Sequence, residues 1–265
     1  MLQRASWRLS HPSAVRPRPD RRRSAAAASG PDHRSGPGRR RGDAYESCAA
    51  AQDRRLGIAD FESGQFVRIT VPDTDARRAY SPANVANWDG ELEFYIRLIP
   101  GGLMSQYLSE RAGIGDVLTV SAPQGSFTLV ENGLRPRWFL AGGTGLSPLL
   151  SMLRRMAEWG DPQPMRLFFG LTHHTEVFAL DELRELAQSM PDFRTYTVVW
   201  RPDLRWAGAV GNPVDLAAAE LRTADESPDV YVCGPPRMID ATYLALTAAG
   251  VPREQIHAER FFNTA

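Results

Sequence analysis

The chain has 265 residues and a mass of 29.4 kDa, with 43% hydrophobic and 23% charged residues. That is enough for one large or two ordinary domains with a sizeable buried core, and the composition reads as soluble and globular. The formal net charge of zero conceals a split, because residues 1–42 carry eleven Arg against Asp20 and Asp32 and the remainder is acidic. Only Cys48 and Cys233 are present, which excludes a disulfide framework, a Cys-rich zinc site and an iron–sulfur cluster ligated by four Cys of one chain. A reducing cytoplasm is the default compartment. The longest uncharged stretch, residues 138–153, is shorter than a bilayer requires and is broken by Gly142, Gly143, Gly145 and Pro148, so no membrane span is expected.

Residues 1–42 are rich in Arg, Ser, Pro and Ala and poor in acids, the composition of a disordered arm or a transit peptide. A coding start placed upstream of the true one fits as well. Nucleic acid is a poor partner, since the run Arg21-Arg22-Arg23 has no aromatic residues interleaved with its charges. From Gly64 onward the texture changes: residues 66–71 and 92–98 alternate with period two, and residues 116–120 form a third strand-like run. Short strands separated by Pro, Gly, Asn and Asp predict a small antiparallel barrel. After Arg135, apolar β-type runs at 138–141, 165–170, 193–199 and 229–233 are each followed by a helical pattern, at 149–159, 181–190, 213–221 and 238–249. That alternation predicts βαβ units and a parallel sheet. The divisions are 1–55 for the Arg-rich segment, 56–134 for the barrel and 135–265 for the α/β unit.

Three constellations carry chemistry. Residues 141–148, Ala-Gly-Gly-Thr-Gly-Leu-Ser-Pro, lie between an apolar strand and a helix. There Gly142, Gly143, Thr144 and Gly145 could bring bare amides to a phosphate, and Pro148 suits a first helical turn. Pro148 replaces the third glycine of the usual dinucleotide pattern, so a plain tight turn is the competing reading. Residues 78–84, Arg-Ala-Tyr-Ser-Pro-Ala-Asn, offer a guanidinium for phosphate in Arg78, an aromatic face in Tyr80 and a hydroxyl for a ring nitrogen in Ser81. Gly101, Gly102 and Ser105 repeat the phosphate logic. Finally Cys233 and Gly234 close a buried strand whose carboxyl end should face the same crevice as Gly142 to Thr144, with Glu259 and Phe261 within reach.

Joined in this order and spacing, the pieces resemble the ferredoxin-NADP reductase superfamily. The resemblance runs from Phe61 to Phe262 and includes residues 64–66, 122–127, 181–183 and 233–238. The wording of residues 70–84 and 92–98 is similar to reductase components of soluble methane and propane monooxygenases, which pass electrons from NADH through FAD and a [2Fe–2S] centre to a di-iron hydroxylase. It implies a β barrel plus α/β architecture: an FAD-binding barrel followed by a parallel-sheet nicotinamide-binding domain. It also implies an electron-accepting partner, a ferredoxin-type domain or a di-iron hydroxylase. By the same resemblance Arg78 would hold the FAD pyrophosphate, Tyr80 would stack on the flavin, and Ser81 would hydrogen-bond its N5. Gly101, Gly102 and Ser105 would bind FAD phosphates, Gly143 and Thr144 would sit at NADH, and Cys233 and Glu259 would flank the hydride path.

Two departures accompany the resemblance. The cluster-ligating cysteines are absent, so no iron–sulfur centre and no other metal is expected in this chain. The family's barrel also begins with two strands before Gly64, for which only residues 56–61 could stand. A rival reading follows from that: a truncated, non-catalytic remnant that binds nicotinamide without flavin. Within the loop of residues 171–176 no Arg is present to clamp a 2′-phosphate and Glu176 would repel one, which favours NADH over NADPH.

Overall fold

The computed structural model describes residues 2–10, 14–16, 60–87, 90–131 and 133–261, the first two stretches as backbone strands only. In chain order the N-terminal half contains β1 (Leu2–Ser10), β2 (Ala14–Arg16), β3 (Val67–Thr70), β4 (Arg77–Tyr80) and β5 (Glu91–Arg97). A short helix α1 (Leu103–Gln106) follows and runs into a π-helical turn, Tyr107–Arg111. β3 and β4 pair antiparallel with Val67 opposite Tyr80, and the alternation along β3 buries Val67 and Ile69 while leaving Arg68 outside. β5 pairs antiparallel with β1, and β1 in turn with β2. Val67, Ile69, Leu92, Phe94, Ile96, Leu108, Leu118 and Val120 fill the interior.

Two expectations change here. Leu2–Ser10 belongs to the segment read as a disordered arm, yet it is a strand running along the whole of β5, from Leu2 opposite Arg97 to Arg8 opposite Glu91. The averaged composition of 42 residues hides a local alternation: Ala5, Trp7 and Leu9 interleave with Arg4, Ser6, Arg8 and Ser10. The remainder of 1–55 lies outside the described residues. The run 116–120, by contrast, is no continuous strand. It touches the barrel through a single bridge, Val120 to Ile69, with Thr70 N donating to Thr119 O at 2.9 Å and Ser121 N to Arg68 O at 2.9 Å.

The second half is a parallel sheet in the order β11-β10-β6-β7-β8-β9. Its strands are β6 (Arg137–Gly142), β7 (Met165–Leu171), β8 (Phe193–Val199), β9 (Ala209–Val210), β10 (Asp229–Gly234) and β11 (Ile256–Arg260). The crossing helices are α2 (Leu146–Trp159), α3 (Leu180–Ser189), α4 (Pro213–Leu221) and α5 (Pro236–Ala248). Covered on both faces, β6 and β10 are buried along almost their whole length, which is why they read as unbroken apolar runs. The chain fills the sheet outward from β6 through β7, β8 and β9, then returns to the other side of β6 with β10. The direction therefore reverses between β6 and β10, and a crevice opens at their carboxyl ends.

The halves share a wall. From β5, Leu92, Phe94 and Ile96 enter the barrel interior, while Tyr95 packs in the core built on α2 and β6. Gly64, at φ +104°, lets the barrel entrance approach closely, since a Cβ there would lie 1.9 Å from Phe127 O and 2.5 Å from Met152 Cε.

Candidate active site

At the reversal point a cavity of about 750 Å³ opens between the carboxyl ends of the parallel strands and the barrel edge formed by β4 and α1. Its size and mixed apolar and polar wall suit an organic cofactor. Arg78, Tyr80, Ser81, Gly102 and Ser105 line it from the barrel. Gly142, Gly143, Thr144, Glu259 and Phe261 line it from the sheet. Ten of the residues singled out in the sequence thus converge on one space, although they span positions 78 to 261.

The remaining five do not line the cavity. Gly145 is a packing glycine: a Cβ there would lie 2.2 Å from Cys233 O, so only its bare Cα lets the start of α2 rest against β10. Pro148 is buried in the first turn of α2, where its missing N–H has no intrahelical partner to lose. Gly101, at φ +74°, turns the chain into α1. Cys233, expected to look into the crevice, is fully buried, and Gly234 follows it on β10. Burial first, and the charge of Glu259 second, push the Cys233 thiol well above its ordinary range.

Glu259 lies opposite Cys233 in the β10–β11 register. Burial pushes its carboxyl up to about 7, with the Ser81 hydroxyl pulling weakly the other way. The two groups are near enough for that pull without forming a full hydrogen bond, since neither Ser81 Oγ nor Glu259 Oε2 has a partner. A buried, unsatisfied hydroxyl is costly unless something else occupies its donor. Ser81 is 4% exposed. Tyr80 meets Phe94 edge to face at 6.2 Å, and burial raises its phenol against the opposing effect of Arg78, so it stays neutral. Arg78 Nη1 donates to Arg77 O at 3.1 Å. Ser105 Oγ accepts from Ile99 N at 2.8 Å, which fixes the turn and leaves the hydroxyl hydrogen available.

Among the lining residues outside the sequence motifs are Arg97 and Trp200. Arg97 ends β5 with Nη2 2.9 Å from where a Cβ on Gly143 would stand, and it pairs with Glu176 at 3.3 Å. A permanent cation therefore lies over the glycine turn. Trp200, 54% exposed, follows β8 at the far end of the cavity. Its place just past a parallel strand is the available signal, because ligands gather there. Glu176 also accepts from the amides of Thr172 and His173, each at 3.1 Å, so its carboxylate closes the turn and meets Arg97.

Two family models match the chain, an oxidoreductase FAD-binding domain over residues 51–129 and an oxidoreductase NAD-binding domain over residues 139–243. Both halves of the chain are thus similar to oxidoreductase domains, the barrel to an FAD-binding one and the parallel-sheet half to an NAD-binding one. The chain is 47% identical over 162 residues to methane monooxygenase component C of Methylosinus trichosporium, an alignment covering 61% of this chain and 47% of that protein. It is 35% identical over 210 residues to the reductase component of propane 2-monooxygenase of Mycolicibacterium smegmatis, covering 77% of this chain and 60% of the relative. The chain thus spans about half to three-fifths of the length of these curated relatives. Among solved structures, a cytochrome P450 reductase of Amycolatopsis superposes with a TM-score of 0.71 at 31% identity, covering 76% of this chain and 61% of the other. A ferredoxin NADP+ reductase from Neisseria gonorrhoeae, solved with bound FAD and NADP, superposes at 0.68 with 23% identity and covers 81% and 92%, a likeness of fold. Among the described residues no helix is long and apolar enough to cross a membrane.

Proposed function

We propose that this reductase takes hydride from NADH at FAD and hands the electrons on to an oxygenase partner on another chain, an iron–sulfur protein or a di-iron hydroxylase. The observation that carries the reading is the wall itself: an orphaned Ser81 hydroxyl and a raised Glu259 carboxyl stand between Arg78 and Tyr80 on one side and the Gly143–Thr144 turn on the other. FAD, when bound, supplies a two-electron acceptor that releases electrons singly. The chain supplies the rest. Arg78 offers a fixed fork to the FAD pyrophosphate, with Gly101, Gly102 and Ser105 at the FAD phosphates. Tyr80, kept neutral, offers its ring to the flavin, and Ser81 has a hydroxyl donor to direct at flavin N5. Gly142, Gly143 and Thr144, with Arg97 above them, receive the NADH pyrophosphate. Glu259 holds a proton near neutral pH at the edge of the hydride path, and buried Cys233 keeps the ground behind it dry and uncharged. Phe261 closes the rim.

NADH is the coenzyme in this reading. Glu176 is partly neutralised by Arg97, so discrimination rests chiefly on the absence of an arginine within residues 171–176. The expected ratio of kcat/KM for NADH over NADPH is on the order of tenfold or more, as for one charged hydrogen-bond pair; equal values overturn the coenzyme assignment. The function itself is tested by one purification. The protein should carry flavin absorbance and reduce ferricyanide with NADH. Absence of both, even after FAD is added, defeats the proposal in favour of a flavin-free remnant.

A further inference from the structure

The segment carrying Ser81 is held in an unusual way. Residues 81–87 follow β4 without joining a ladder, and the side of the segment facing β5 is satisfied largely by one side chain. Asn84 Oδ1 accepts from Glu93 N at 2.8 Å, Asn84 Nδ2 donates to Glu91 O at 2.7 Å, and Ala83 N donates to Glu93 O at 2.7 Å. The carbonyls on the opposite side point away from the barrel and find donors on α2 of the parallel-sheet half. Arg154 Nη1 donates to Ala83 O at 2.8 Å, and Ser151 Oγ donates to Asn84 O at 2.7 Å.

Arg154 does more than satisfy a carbonyl. Its guanidinium also meets Glu93 Oε1 at 3.2 Å and Glu182 Oε1 at 4.0 Å, and Glu182 accepts from the Tyr95 hydroxyl at 2.9 and 3.0 Å. One planar cation therefore joins the Ser81 segment, β5, α2 and α3. Arg, with several donors fixed in a plane, is suited to this, whereas a single ammonium reaches fewer partners at once. Helix α2 begins directly after the Gly143–Gly145 turn, so Arg154 lies about 12 Å along the same rigid rod from Leu146.

We infer that Arg154, assisted by Ser151, is a positioning residue for hydride transfer: it indexes the flavin-facing segment of residues 81–84 to the helix that begins at the nicotinamide-side glycine turn. The inference rests on the assignment of Ser81 to the flavin and of Gly143 to the nicotinamide coenzyme. Its physical content is distance. The barrel interior and the sheet core are distinct clusters, Ala83 of the segment packs in the sheet core, and a small slip between the halves at Ser81 changes the approach of donor and acceptor, on which transfer depends steeply.

The experiment compares the parental protein with Arg154→Met, Arg154→Lys and Ser151→Ala. Amide hydrogen exchange over residues 81–84 is measured on protein stripped of cofactor, and flavin reduction by NADH is followed by stopped flow on FAD-loaded protein. Arg154→Met should accelerate exchange over 81–84 and lower the reduction rate at saturating NADH by about tenfold or more, with FAD content retained and the NADH KM nearly unchanged. Arg154→Lys should recover part of both effects, and Ser151→Ala should show the same pattern in smaller measure, which decides the matter if Arg154→Met does not fold. Parental exchange over 81–84, or a parental reduction rate despite faster exchange, overturns the inference. If the parental protein binds FAD but is not reduced by NADH, the proposed function falls, while the exchange data still decide whether the clamp exists.

Discussion

The two halves of the chain are held together by different means. In the parallel-sheet half the backbone is satisfied by continuous ladders: β6, β7 and β8 pair over their full lengths, and apolar side chains fill both faces. In the barrel half β3 and β4 form a ribbon of four residues each, the run before Ser121 touches it at a single bridge, and polar side chains complete what strands do not. Asn84 stands in for a strand against β5, Ser121 Oγ accepts from Arg68 N at 2.9 Å, and Gln65 Nε2 donates to Gly125 O at 3.3 Å. The difference teaches that stability in the parallel-sheet half lies in packed volume and in the barrel half in a few directed bonds. Volume changes should break one, and loss of single polar atoms should break the other.

The largest effect is expected from Gly145→Val. The new Cβ would meet Cys233 O at 2.2 Å and Gly234 N at 2.9 Å, both backbone atoms of a central strand that cannot give way. A loss above about 4 kcal/mol in urea unfolding is expected, enough to prevent accumulation of folded protein. Asn84→Ala tests the other half. It removes the Asn84 bonds to Glu93 N–H and Glu91 C=O, and about 2–3 kcal/mol should be lost although no core volume changes. If Asn84→Ala unfolds at the parental midpoint, the contrast between the halves is wrong.

Ser81→Ala sharpens the comparison, because it removes a polar atom from the barrel that no internal bond uses. Stability should hold or rise slightly, while flavin reduction by NADH slows by ~1–3 kcal/mol in activation free energy with FAD content near normal. Arg78→Ala should instead yield mostly apoprotein that added FAD partly rescues, since a phosphate contact acts alike in ground and transition states. Full flavin in Arg78→Ala together with parental rates in Ser81→Ala would contradict the roles assigned to residues 78–81.

The smallest effect belongs to Glu259→Gln. With a carboxyl at about 7 in the folded protein against an ordinary 4.5, the folded state binds the proton more tightly. The resulting stabilisation is present below pH 4.5 and is lost as pH rises through 7. Discounted for partial solvent access, the contribution is about 1–2 kcal/mol. The difference in urea midpoint between the two proteins should therefore grow in favour of Glu259→Gln from pH 5 to pH 8, and a constant difference counts against a raised carboxyl.

The same contrast governs what is legible in the sequence. Strands buried on both faces, such as Asp229–Gly234, announce themselves as apolar runs, and the helices between them follow the rhythm expected. The glycine turn at 142–145 and the motif at 78–84 are equally plain, because their chemistry is local. Leu2–Ser10 is not, since its alternation over residues 4–10 is submerged in an Arg-rich composition and its partner, β5, lies some ninety positions away. Arg97 escapes for a related reason. Its place in the cavity comes from meeting Gly143 across the interface, and no residue beside it in the chain signals that neighbour. Cys233 shows the opposite failure: its position at the strand end is legible, but its complete burial depends on how closely Gly145 is pressed against it.

β5 reads in sequence as a half-exposed strand, with Leu92, Phe94 and Ile96 alternating against Glu93, Tyr95 and Arg97. In the folded protein both of its faces are owned. That makes it the keystone for any exchange of modules between relatives: a graft that cuts the chain in the linker near residue 130 inherits Glu93 and Tyr95 with the donor barrel, yet must match them to the recipient's Arg154, Glu182 and Phe178. Chimeras made at that seam should recover wild-type coupling between the halves only when these five positions travel as a set, wherever the visible domain boundary is drawn.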